Sequence, residues 1–172
     1  MAGFLGLVAL IAIGVGWYYL KRGVNRGVSK VLYKNTNARA MDEVWTELTF
    51  TAPGAPEVVQ ARVVAALALP VEAPPVVGRL YLAGQDTGRI EVRRGSKIGT
   101  EWTGRAGFTP AAGGGTSGVW TVTQWTLRDG VVQSNGIIQD MAGVREAIAA
   151  AVTAAGGTCS MRVLPAAERV KR

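Results

Sequence analysis

The sequence predicts an α+β protein: an N-terminal transmembrane helix, then a small domain with an antiparallel sheet packed on a C-terminal helix. Three observations carry this. Ala2 to Leu20 is an uncharged run of 19 residues closed by Lys21 and Arg22. Between residues 76 and 139, short alternating apolar runs are separated by turn residues, as in a meander of strands. From Met141 to Ala155, apolar residues recur at three- and four-residue steps, the period of a helix.

The first run, AGFLGLVALIAIGVGWYYL, is an anchor by length. At about 1.5 Å per residue, its helix spans roughly 28 Å, close to the hydrocarbon thickness of a bilayer. Trp17, Tyr18 and Tyr19 gather at one end, where amphipathic rings favour the headgroup level. A cleaved secretory signal fits less well: no basic region precedes the run, and it ends in aromatics and bases rather than a small-x-small site. Ala12 and Gly16 offer a close-approach face to a second helix.

Lys21, Arg22, Arg26, Lys30, Lys34 and Arg39 follow the span, and no acid appears before Asp42. The positive-inside rule therefore places the body in the cytoplasm and a very short N-terminus outside. Arg22, Arg26, Lys30 and Lys34 repeat every four residues, and Val24, Val28 and Leu32 share that spacing on another face. Such a helix is either a stalk or an interfacial helix on the anionic inner leaflet, each base there contributing on the order of 1 kcal/mol. The expected organisation is anchor 1–20, basic stalk 21–41, α+β domain 42–164 and polar basic tail 165–172.

The formal charge is +7, and the six bases at 21–39 account for all but one unit of it. The basicity is thus a membrane-topology signature, and no nucleic-acid partner is expected. The chain has no histidine, which removes the commonest general base and metal ligand. Its single cysteine, Cys159, can close no internal disulfide, consistent with a reducing cytoplasm, and reads as a small hydrophobe near the domain's end. No cofactor, metal site or catalytic residue is expected. The composition, rich in Ala, Gly, Val and Arg and poor in Lys, suggests a high-GC bacterial or phage source.

In the domain, VWTELTFT (44–51) alternates as a half-buried strand with Glu47 on its polar face. Pro56 opens a helix over Glu57–Leu69 with Val59, Val63 and Leu67 inward; Pro70 ends it, and VEAPP is a stiff connector. Strands are expected at Val76–Ala83, Arg89–Arg93, Thr100–Phe108 and Val119–Leu127. In the second of these Ile90 and Val92 point inward; in the third, Trp102, Ala106 and Phe108 do. The fourth changes phase between Trp120/Val122 and Trp125/Leu127, which implies a bulge near Thr123-Gln124 or a strand covered on both faces. Asp129-Gly130 predicts a hairpin to a strand over Val131–Gln139. Asp140 caps a helix carrying Met141, Val144, Ile148 and Val152 inward and Arg145 and Glu146 outward, stopped by Gly156-Gly157. Ser160–Leu164 adds an edge strand.

Two stretches, LTFTAPGAPEVVQARVVAAL and WTLRDGVVQSNGIIQDMAGVREAIAAAV, resemble the helix-grip (START-like, SRPBCC) superfamily in the order of their elements. The resemblance implies a curved sheet gripping the last helix around an apolar cavity. Trp102, Phe108 and Trp120 would line that cavity, with Met141, Val144 and Ile148 closing it. Plain core packing explains the same residues, and a filled two-layer domain is the rival reading. The resemblance carries over no catalytic residue.

The glycine-rich stretch 111–118 lacks the lysine of a phosphate loop and precedes a strand, so it reads as a flexible connection within Phe108–Gly118. Arg93, Arg94 and Lys97 form a basic turn. Glu47, Glu91 and Glu101 are scattered and form no acid/base pair. The functional expectation is a non-enzymatic cytoplasmic domain, tethered to the membrane, that serves as scaffold or accessory subunit. Its partners would be anionic lipids and a membrane protein or a second copy. Lipid or other apolar-ligand binding in a helix-grip cavity is the alternative.

Overall fold

A computed structural model of the chain divides it after Arg39, and residues 41–126 and 135–169 of the second unit are described here. Residues 41–45 are helical and lead directly into the first strand. The elements that follow are β1 (Thr46–Ala52), α1 (Pro56–Leu67), β2 (Arg79–Asp86), β3 (Arg89–Ser96), β4 (Gly99–Pro110), β5 (Thr116–Trp125), α2 (Asn135–Ala154), β6 (Thr158–Val163) and the single turn α3 (Ala166–Arg169). The six strands form one sheet in the order β2-β3-β4-β5-β1-β6, antiparallel throughout. Both long helices pack on the same face and against each other. This is the expected α+β architecture. Of the elements behind the helix-grip resemblance, the opening strand, its proline-led helix and the last long helix on the sheet are present, whereas residues 135–140 of the expected terminal hairpin are helix.

β1 starts later than expected because Val44 and Trp45 belong to the helical lead-in. Pro56 occupies the first turn of α1, whose N–H groups have no helical acceptor to lose, and Glu57 sits at the positive end of its dipole. The helix stops before Pro70, at Ala68, which adopts a left-handed conformation (φ 46°) and donates its N–H to the Val64 carbonyl. Val59 and Val63 are buried as expected, together with Gln60. Gln60 holds the β2–β3 turn: its Nε2 donates to the Asp86 carbonyl at 2.8 Å, and its Oε1 accepts from Gly88 N at 2.9 Å.

The meander is tighter than the sequence suggested. The first turn is Thr87-Gly88 and the second Lys97-Ile98, so β3 extends through Arg94, Gly95 and Ser96. Phe108–Pro110 and Thr116–Gly118 are strand, and the irregular connection shrinks to residues 111–115. The phase change in β5 is a bulge: Trp102 lies opposite Trp125 and Thr103 opposite Gln124, but Gly104 opposite Val122. The extra residue lets Trp120, Val122 and Trp125 all face the helices.

Two expectations for the last helix are corrected. Residues 135–140 are helical, so no strand runs to Gln139, and Asp140 lies inside α2 rather than capping it. The helical period reaches back through Ile137, whose burial with Met141 and Val144 outweighs the β-preference of Ile137-Ile138. The Asp129-Gly130 turn lies outside the described residues. At the other end, Gly156 (φ 80°) ends the helix, and Gly157 N donates to the Val152 carbonyl at 2.9 Å, closing a Schellman motif. The chain then reverses into β6, which pairs with β1 as the expected edge strand.

Candidate functional site

The six residues expected to surround a cavity do come together. Trp102, Phe108, Trp120, Met141, Val144 and Ile148 are all buried, Trp102 and Trp120 at 0% exposure. They belong to one apolar cluster between the sheet and the helices. The two indoles meet edge to face with centroids 6.5 Å apart, and Phe50 and Phe108 are tilted at 5.5 Å. Glycines make room for the rings. A Cβ on Gly104 would stand 2.4 Å from the Trp120 ring, and one on Gly118 would stand 2.1 Å from Phe50 Cζ. Neither Trp102 nor Trp120 has a hydrogen-bond partner for its indole Nε1. Two buried donors without acceptors are costly, and they are the polar feature of this core.

A second constellation sits where residues 41–45 join the domain, and the sequence did not single it out. Arg145, expected on the outer face of α2, is 4% exposed and is bound by the Glu43 carboxylate. Its Nη1 also donates to the Glu43 carbonyl at 3.4 Å, while its Nε has no acceptor. Trp45 packs edge to face on Trp125 at 4.9 Å, and the Arg169 guanidinium lies 5.6 Å from its ring centre. Arg169 Nε is held by the Leu164 carbonyl at 2.8 Å, and Leu164 N donates to the Trp45 carbonyl at 2.9 Å. Helix α2, strand β5 and the C-terminal turn thus clamp one short segment. We call this segment, residues 41–45, the root of the domain.

The opposite face of the sheet carries hydroxyl and charged side chains. Its β1–β5–β6 part holds a shallow depression of about 230 Å³ floored by Thr49, Thr51, Ser117, Thr158 and Ser160. Thr51 and Thr158 hydroxyls bond to each other at 2.9 Å across two strands. Further along, Glu91 lies between Arg105 and Arg93, which donate to it at 2.7 and 2.8 Å. Partial burial alone would push the Glu91 carboxyl up, but the hydrogen bonds from Arg105 and Arg93, with their charges, hold it below the usual carboxylate range. A carboxyl lowered in the folded state stabilises the fold above its unfolded pKa, and the gain disappears as pH falls through the folded value. Wild-type protein is therefore expected to exceed Glu91→Gln in urea stability at neutral pH, with the gap closing below about pH 4. A gap independent of pH would contradict this.

The expected basic turn of Arg93, Arg94 and Lys97 is dispersed. Arg93 lies on the outer face with Glu91; Arg94 is on the helix side, paired with Glu101 and with Asp140 of α2; Lys97 is exposed at the turn. Glu47 is buried on the outer face, where Arg162 reaches it at 3.3 Å. Cys159 sits against α2, its thiol 3.8 Å from the Ala149 carbonyl and pushed up by burial. No cluster of three metal-ligating side chains occurs among the described residues. No helix among them is long and apolar enough to cross a membrane. The expected anchor, with Ala2, Trp17, Tyr18, Tyr19 and Leu20, and the expected lipid contacts Lys21, Arg22, Arg26, Lys30 and Lys34 lie outside the described residues.

The fold defines a class, an α+β domain with one antiparallel sheet and its helices on a single face. Comparison with protein-family models, with curated proteins and with solved structures gives no match. The helix-grip resemblance thus rests on element order alone.

Proposed function

We propose that the chain is a single-pass membrane protein whose α+β domain lies in the cytoplasm and acts without catalysis, as a scaffold or accessory subunit of a membrane complex. The observation that carries this reading is the clamped root. A domain on a loose tether needs no ordered entry, whereas here the Glu43–Arg145 ion pair, the edge-to-face Trp45–Trp125 rings and the Arg169 guanidinium hold residues 41–45 against the domain. A held first segment gives the chain one fixed point of entry into the domain, which suits a part that must present one face to a partner. The uncharged run 2–20 and the bases after it supply the membrane side of the argument.

The test is a reporter fused after Arg172 of the full chain, combined with alkaline extraction of membranes. The fusion is expected to stay in the membrane pellet and to be active only in the cytoplasm. Release by alkali, or activity on the outer side, would overturn the topology.

Apolar-ligand binding is the second reading, favoured by the convergence of the six expected pocket residues and by the two indole N–H groups without acceptors. Against it stands the close seating of the Trp120 and Phe50 rings on Gly104 and Gly118.

A further inference from the structure

The chain enters the domain at one particular end of the sheet, and the strand register identifies which. Thr46, the first residue of β1, pairs with Val163, and Leu48 pairs with Trp120, so the end of β5 at Trp125 lies on the entry side. Trp125 pairs with Trp102 near the start of β4, and Ser96 pairs with Gly99 across the β3–β4 turn. The root and the Lys97-Ile98 turn are therefore at the same end.

That end carries apolar side chains that the fold leaves in solvent. Ile98, at the tip of the turn, is 79% exposed, and Val76 and Val77 are 66% and 68% exposed. The connector that carries the two valines is braced on the turn at both its ends: Lys97 N donates to the Pro74 carbonyl at 2.9 Å, and Gly78 lies against Gly95 and Glu101. Lone exposed valines are ordinary, but three large apolar residues on one braced tip are not. Lys97 and Arg79 flank them and are exposed, while Glu101 is paired with Arg94. An apolar tip flanked by two exposed bases matches the headgroup boundary of an anionic bilayer.

We propose that this tip is a second, peripheral membrane contact, with Val76, Val77 and Ile98 entering the headgroup region and Lys97 and Arg79 meeting anionic headgroups. The proposal rests on the anchor reading of residues 2–20.

The test uses the full chain, with Cys159→Ser, in phosphatidylcholine–phosphatidylglycerol vesicles. A fluorophore is attached at Ile98→Cys, at Ile11→Cys within the anchor run, or at Ala112→Cys in the β4–β5 loop at the far end of the sheet. Nitroxide-bearing lipids then report contact with the bilayer. Quenching at 98 and 11 but not at 112 is the expected result, and the signal at 98 should fall when phosphatidylglycerol is omitted. Quenching at 11 with none at 98 overturns the tip contact and leaves the anchor standing; the tip would then be free for a protein. No quenching at 11 overturns the anchor reading itself. Quenching at 98 that ignores phosphatidylglycerol overturns the role given to Lys97 and Arg79.

Discussion

Trp120→Ala is expected to cost the domain about 4 kcal/mol of folding stability, enough to unfold a protein of ordinary stability in part at 37 °C. The ring is wholly buried, lies edge to face on Trp102 and occupies the space over Gly104, so its removal leaves a void that rigid strands cannot close. Trp120→Phe should cost much less, because it also deletes a buried N–H that has no acceptor. Urea unfolding of the three proteins in the same detergent measures both differences. Equal losses for Ala and Phe would mean that the indole N–H is engaged in solution, by water or by a ligand.

Glu43→Ala is expected to be the most damaging change at the root, by about 3 kcal/mol. Arg145 would keep its buried position and its charge but lose the carboxylate that compensates it. The cost should be local as well. Amide exchange of residues 41–45 and of β6 should accelerate before that of β3 and β4, because Leu164 N and the Trp45 carbonyl belong to the same joint. The double variant Glu43→Leu, Arg145→Met should recover most of the loss, since a packed apolar pair replaces a desolvated ionic one. A double variant as unstable as Glu43→Ala alone would show that the ion pair is not the source of the effect.

The sheet's inner face was legible because period-two alternation is local: Ile90 and Val92, then Trp102, Ala106 and Phe108, follow from their spacing. The bulge in β5 could be read from the phase change between Trp120 and Trp125, and the end of α2 from Gly156-Gly157. The same alternation places Arg94 on the inner face, but a charged residue before Gly95 reads as turn until its partners Glu101 and Asp140 are known. Arg145 failed for a related reason. On a helix wheel an arginine beside a glutamate looks solvated, and the carboxylate that buries it lies 102 residues upstream. Whether the aromatic residues enclose a cavity was not legible either. Trp120 and Phe50 fill space left by Gly104 and Gly118 on neighbouring or adjacent strands, a match that appears only in the register.

Native mass spectrometry of the full chain, extracted from membranes in a mild detergent and paired with lipid extraction of the same sample, separates a scaffold from a carrier of apolar ligands. Once annular lipid is stripped, the chain is expected to carry no small molecule in stoichiometric amount and to retain a protein partner or a second copy. A stoichiometric apolar molecule that remains bound, and is lost from a Trp120→Phe variant that is still folded, would contradict it and make the core a ligand site.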